Sequence, residues 1–345
     1  MADILVKKKG ARLGNDEMIP MIPPVVPDIR VGILSEIQDY NHDLMNIPQA
    51  WRNTMGGGVK VAVLDTGMPR HQDMTVEGSR SFVSGYLEDQ CGHATAAGSV
   101  IAAIANNGMG VKGVAPDALD YYGAVLDKYG TGSVRAIVDG IYWAVDDLHA
   151  DIINMSLGIP GEYECDRALE VACDYAYSKG VTLFAASGNT GGAVNYPAKF
   201  ESVAAVAAVD RDTHVAEFSS RGPEVEFAAG GVNVYMCYRN NGYASMSGTS
   251  FACPAVAGVA CLVKSMFRDK GIELTPAEVR DSLKRMAYDV GPEGRDELYG
   301  YGIPVFAKEF DDPTAVSKAG GKPKRQSFWR RIWNAVVMLA ARSGT

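Results

Sequence analysis

Four runs, 59–64, 151–155, 181–185 and 202–209, are rich in β-branched and small apolar residues and are barely interrupted by polar ones. Each reads as a strand buried on both faces. Between them, Val134, Ile137, Val138, Ile141, Val145 and Leu148 recur at helical spacing, and 168–177 behaves the same way. Continuous apolar strands alternating with such helices predict an α/β fold: a mostly parallel central sheet covered by helices on both sides. Functional groups in that architecture collect outside the carboxyl ends of the strands.

One further run, 255–263, is apolar on nearly every face and follows Ser247-Gly248-Thr249-Ser250-Phe251-Ala252-Cys253-Pro254. It predicts an enclosed helix with Ser250 at its mouth, Thr249 or Ser250 as the cap and Pro254 in the first turn. Backbone N–H groups and the positive dipole end at such a start stabilise an anion forming beside the hydroxyl, although an ordinary capping serine fits the octapeptide equally well.

Composition narrows the class. With 345 residues, 47% apolar and 21% charged, the chain suits one large domain or two small ones with a substantial core. No secretory leader is legible in Met1-Ala2-Asp3-Ile4-Leu5-Val6, and no apolar run is expected to cross a membrane, so a cytoplasmic location is expected. The six cysteines are scattered without a paired framework, in keeping with that setting. The net charge of −8 combines −15 before Lys318 with +7 from Lys318 to the end, an acidic body and a basic end. Nothing in the pattern points to nucleic acid.

The candidate chemistry lies at element ends. The first long strand finishes in Asp65-Thr66-Gly67. A dinucleotide site would need its glycine-rich turn after the strand, whereas Gly56-Gly57-Gly58 precedes it. An aspartic protease would need a second Asp-Thr-Gly, and there is none. A carboxylate that orients a histidine is the third reading. Of five histidines, His42, His71, His149 and His214 read as structural or solvated, while His93 opens a small-residue helix in Gly92-His93-Ala94-Thr95-Ala96-Ala97-Gly98. Ser187-Gly188-Asn189 ends another buried strand in an amide that can donate to an oxyanion or cap a turn.

Asp65-Thr66-Gly67, Gly92-His93, Ser187-Gly188-Asn189 and Gly248-Thr249-Ser250-Phe251-Ala252-Cys253-Pro254, in that order, resemble the subtilisin-like serine proteases. The likeness runs from about Gln38 to Asp311 and includes 106–116, 153–158, 196–198 and 218–223. It implies the three-layer subtilisin-like fold and a serine endopeptidase. Ser250 would be the nucleophile, His93 the base and then acid, Asp65 its orienting carboxylate, and Asn189 with the Ser250 N–H the oxyanion hole. Gly130-Thr131-Gly132 and Ser156-Leu157-Gly158 would clasp a polypeptide substrate as an added strand, with Asn195 near the base of the primary specificity pocket. The chain departs from the family at Ala94, where Gly would give a roomier cleft, at Ala229-Gly230 and at Ala255. A structural calcium ion is implied at Asp73 and Asn107, with the carbonyls of Ala105, Met109 and Val111 and with Gln38 as a further ligand; a self-supporting Asn-Gly turn is the alternative.

The ends set the domain plan: an extension over 1–33, a catalytic domain over 34–311, a linker over 312–326 and a basic amphipathic helix over 327–345. Residues 18–27 hold four prolines, so the segment is extended, either as a solvated arm or as a strand in a peptide-binding cleft. The likeness is greatest to intracellular subtilisins, which implies a zymogen-like latency with residues 19–27 lying across the active site. In the tail, Phe328, Trp329, Ile332, Trp333, Val336 and Val337 form one face and Arg330, Arg331 and Arg342 lie elsewhere, which suits docking through 327–342 to protein or to an anionic membrane surface. A catalytically silent scaffold and a processing protease or ligase dedicated to one partner are the rival functions.

Overall fold

The computed structural model describes residues 14–23, 27–30, 35–85, 87–161 and 165–306. The chain enters with two short strands, β1 (Ile19–Pro20) and β2 (Asp28–Arg30), and two short helices, α1 (Tyr40–Leu44) and α2 (Ile47–Ala50). The core units follow: β3 (Lys60–Asp65), β4 (Gly78–Ser81), α3 (His93–Ala102), β5 (Leu119–Ala124), β6 (Thr131–Gly132), α4 (Val134–Tyr142), β7 (Ile152–Met155), α5 (Arg167–Ser178), β8 (Thr182–Ala186) and β9 (Val203–Val209). Then come β10 (Val225–Gly230), β11 (Val234–Tyr238), β12 (Gly242–Met246), α6 (Thr249–Arg268), α7 (Pro276–Met286), β13 (Ala287–Tyr288) and β14 (Ile303–Pro304).

Seven strands form one parallel sheet in the order β10-β9-β8-β7-β3-β5-β4. Every residue of β7, β8, β9 and β10 is buried, as their unbroken apolar character requires. Helices α3 and α6 pack on each other over one face, and α4 and α5 pack on each other over the opposite one. The fold is the three-layer α/β arrangement expected. The predicted helix over 134–148 is divided: α4 ends at Tyr142, and Trp143–Asp147 forms a wider π-helical turn.

Two expectations need correction at α6. By length and apolarity this helix could cross a membrane, contrary to the sequence reading, but almost all of it is buried as the core helix of the domain. Its cap is Gly248 rather than Thr249 or Ser250, and Pro254 lies inside the helix, beyond the first turn. Proline at that position cannot donate to the Ser250 carbonyl four residues back. Ser156 Oγ takes over as donor at 2.8 Å, which makes the proline tolerable. Residues 307–345, with the linker and the predicted basic helix, lie outside the described residues, as do 1–13 of the extension.

Candidate active site

Adjacent strands β3, β7 and β8 deliver three of the predicted site segments from their carboxyl ends: Asp65, Ser156-Leu157-Gly158 and Ser187-Gly188-Asn189. Helices α3 and α6 start at the same end and bring His93 and Ser250. Residues far apart in sequence therefore meet because the strand order makes their ends neighbours.

Both carboxylate oxygens of Asp65 lie 2.9 Å from His93 Nδ1. The pair is buried, with His93 4% and Asp65 0% exposed. Burial disfavours the imidazolium, but the adjacent Asp65 charge outweighs it and holds the His93 pKa above the ordinary imidazole value. That bond leaves Nε2 as the proton acceptor, and Nε2 is buried without a hydrogen-bond partner among the described residues. The Ser250 hydroxyl donates at 3.2 Å to the Ser156 carbonyl. Rotation about one side-chain bond redirects the hydroxyl. Phe251, fully buried, packs a ring 5.6 Å from the imidazole and keeps that side dry.

Asn189 is oriented from behind. Its Oδ1 accepts from the Thr249 N–H at 2.8 Å and the Thr249 hydroxyl at 2.9 Å, so Nδ2 is the end left to donate. The Thr249 hydroxyl in turn accepts from the Gly188 N–H at 3.2 Å, which ties the strand tip to the helix start.

Sequence reasoning missed Asp89. Its Oδ1 accepts from the N–H groups of Cys91 and Gly92 and from the Thr66 hydroxyl, and its Oδ2 from the N–H and hydroxyl of Thr95. Thr66 Oγ1 accepts from the Ala94 N–H, so Asp89 and Thr66 together fix where the His93 helix begins. An Asp with Gly three residues on and Thr six residues on was the available signal. Ala94 is itself fully buried in the core. Ala229 and Ala255 are core residues too.

The N-terminal arm reaches this site. Asn15 accepts from the Arg135 N–H at the start of α4, and β1 pairs antiparallel with β6, Ile19 opposite Gly132 and Pro20 opposite Thr131. The N–H groups of Met21 and Ile22 both donate to Gly130 O, at 3.0 and 3.3 Å, while Gly158 N–H donates to Met21 O at 3.1 Å. The arm thus touches at once the two edges, at Gly130 and Gly158, that the family resemblance assigns to substrate. Ile19, Met21 and Ile22 are buried. Gly130 has φ +72°, and a methyl there would come within 3.1 Å of Ile22 Cβ, so glycine is needed for this close approach. Farther on, β2 adds to β12, the strand that leads into Ser247-Gly248.

The predicted metal ligands are brought together in part. Asp73 accepts from Asn107 Nδ2 at 2.5 Å and from the Val111 N–H at 2.9 Å, and Asn107 Oδ1 accepts from the Met109 N–H. Gln38 does not join them, because its amide donates to Asp43 at 2.8 Å. As arranged, the loop supports itself. Turned over, the Asn107 amide would give up its bond from the Met109 N–H and turn an oxygen toward Asp73; oxygen donors of this type suit a hard cation once the two side chains move apart. Asn195 lies between Gly158 and Gly188, on the walls formed by the ends of β7 and β8.

The subtilase family profile matches residues 56–302. The thermostable alkaline protease of Halalkalibacterium halodurans is 41% identical over 303 residues, covering 87% of this chain and 80% of that protein. Subtilisin Savinase of Lederbergia lenta is 42% identical over 256 residues, 73% of this chain and 90% of that protein. Subtilisin DY of Bacillus licheniformis is 43% identical over 256 residues, 72% of this chain and 89% of that protein. The match spans every element that carries Asp65, His93, Asn189 and Ser250, and on it the chain belongs to the subtilase family of serine endopeptidases.

Proposed function

We propose that this chain hydrolyses polypeptides through an acyl-enzyme on Ser250 and is held latent by its own residues 19–27. His93 Nε2 takes the hydroxyl proton as Ser250 Oγ attacks the scissile carbonyl carbon. Asp65 holds the ring in the required tautomer and stabilises the imidazolium. Asn189 Nδ2 and the Ser250 N–H receive the oxyanion at the positive end of α6. Collapse breaks the C–N bond, and His93 gives its proton to the departing amine. Water then repeats the sequence on the ester and frees Ser250.

The observation that carries the latency is the main chain of Met21, bonded to Gly130 on one side and Gly158 on the other. Those edges would hold a substrate strand. Pro20 has no N–H, and two successive N–H groups share the Gly130 carbonyl, so the arm bulges where a substrate would run straight. A bent backbone gives the nucleophile no aligned carbonyl.

Labelling with a serine-directed fluorophosphonate tests this. Full-length protein should react slowly, and protein lacking residues 1–33 quickly. Met21→Asp, which puts a charge at a buried arm position, should also react quickly, and Ser250→Ala not at all. Equal rates with and without the arm would remove the latency and leave the protease; no labelling of any folded form would favour the silent scaffold. The cytoplasmic setting belongs to the same proposal, supported by six cysteines that form no disulfide. Cell fractionation that finds the protein outside the cell would end it. Calcium at Asp73 and Asn107, with the carbonyls of Ala105, Met109 and Val111, is proposed as a stabiliser of the loop and takes no part in the chemistry.

A further inference from the structure

Strand β7 carries one amide in an otherwise apolar run, Ile152-Ile153-Asn154-Met155. Alternate side chains of an extended chain share a face, so Asn154 and Ser156 both meet α6. On α6, Ser250 and Cys253 are three residues apart and lie on one side of the helix. A chain of hydrogen bonds joins the two faces. The Cys253 thiol donates to Asn154 Oδ1 at 3.2 Å, Asn154 Nδ2 donates to Ser156 Oγ at 3.0 Å, and Ser156 Oγ donates to the Ser250 carbonyl at 2.8 Å. Asn154, Ser156 and Cys253 are all fully buried, so bulk solvent does not compete for these groups.

Each link fixes the direction of the next. A serine hydroxyl has one proton; Ser156 Oγ accepts from the amide, which leaves that proton for the Ser250 carbonyl. The amide has two orientations to choose from. Turned over, it would set its oxygen against Ser156, take that proton and strip the Ser250 carbonyl of this donor. It would also bring an N–H to the Cys253 sulfur, a weak acceptor that the Met155 N–H already faces. The thiol proton therefore selects the orientation in which Asn154 donates to Ser156. The far end of the chain matters because Pro254 has no N–H to give the Ser250 carbonyl. At that carbonyl the first turn of α6, which carries both the hydroxyl and the N–H of Ser250, is tied to the end of β7 in place of the usual helix bond.

We propose that Asn154 and Cys253 are positioning residues for the nucleophile. Acting through Ser156 Oγ, they hold the Ser250 main chain where its hydroxyl and N–H serve acyl transfer. Neither touches substrate. The inference rests on the protease reading above and adds to it two residues that stand behind the reacting atoms.

The test uses the full chain carrying Met21→Asp as the parent, with kcat and KM measured on succinyl-Ala-Ala-Pro-Phe p-nitroanilide. Asn154→Ala should lower kcat by about 10- to 100-fold and Cys253→Ala by about 3- to 10-fold, with KM within about 2-fold of the parent. Cys253→Ser keeps a donor and should stay within about 2-fold in kcat. Adding Pro254→Ala offers the Ser250 carbonyl a helix N–H, and should bring kcat back toward the parent by at least about 3-fold in either alanine variant. A core that had merely loosened would lower Tm without that recovery. Unchanged kcat in both alanine variants, losses confined to KM, or no recovery with Pro254→Ala would overturn the proposal. Should Asn154→Ala fail to fold, Cys253→Ala against Cys253→Ser decides it. Diisopropyl fluorophosphate labelling of the parent separates the failures. Labelling together with any of those contrary results overturns this inference alone, whereas no labelling of Ser250 overturns the protease reading and this inference with it.

Discussion

Replacing Asn189 with alanine isolates one donor of the site. In the resting protein that amide is held by its oxygen, through two bonds from Thr249, so its nitrogen is the end directed at developing charge. A substrate carbonyl carries little negative charge and the tetrahedral intermediate carries a full one, so the lost bond matters almost entirely in the transition state. The expected result is a fall in kcat of about 10²–10³, or about 2.7–4 kcal/mol, with KM nearly unchanged. Stability should fall far less, by roughly 1 kcal/mol for the lost bonds to Thr249. Thr249→Val keeps the donor but loosens its orientation, and should reduce kcat by less than Asn189→Ala. The assay is anilide hydrolysis in a Met21→Asp background, with thermal unfolding measured on the same proteins. A raised KM at constant kcat, or a kcat loss under about 10-fold, would refute the assignment of Asn189 to the oxyanion.

Three further outcomes are expected. Because the Asp65 charge outweighs burial and raises the His93 pKa, kcat/KM should climb with pH through a midpoint above about 6.5, and Asp65→Asn should lower that midpoint as well as the rate. The stabilisation from that pair has the opposite slope: present at low pH while the ring is charged, it is lost as pH rises through the raised value, which a Tm-versus-pH series would follow. Ser156→Ala should destabilise by about 1–3 kcal/mol, since it leaves the buried Ser250 carbonyl without a donor, and adding Pro254→Ala should recover part of that by restoring the helix N–H; additive losses in the double mutant would contradict the compensation. Chelation with EDTA should lower Tm in the wild type and not in Asp73→Asn, and an identical Tm with and without chelator would end the calcium proposal.

Periodicity was enough to read the parallel sheet and its helices, because strands buried on both faces have no polar positions to confuse the pattern, as in β9. The triad residues were legible for a related reason. Each stands at the end of a strand or the start of a helix, where capping and turn residues mark the boundary in the sequence. Asp89 escaped notice because its work is to receive five donors gathered by a fold, and an acid in a polar stretch looks solvated until they are in place. Local rules put Pro254 in a first turn because they forbid it deeper, and only a hydroxyl from β7's end, 98 residues earlier in the chain, lifts that restriction.

What the sequence by itself determined, then, is the layered α/β class, the chemical types at the site and the extended character of the proline-rich arm, all set by spacing and backbone preference within a few residues. Tertiary structure alone decided where these meet. The adjacency of β3, β7 and β8 puts Asp65, Ser156 and Asn189 side by side. Gly130 and Gly158 lie on the two edges that grip Met21, so an arm that could have been solvated is bound. Asn195 packs against glycines 37 and 7 residues before it, a contact that exists only once both strands are in the sheet.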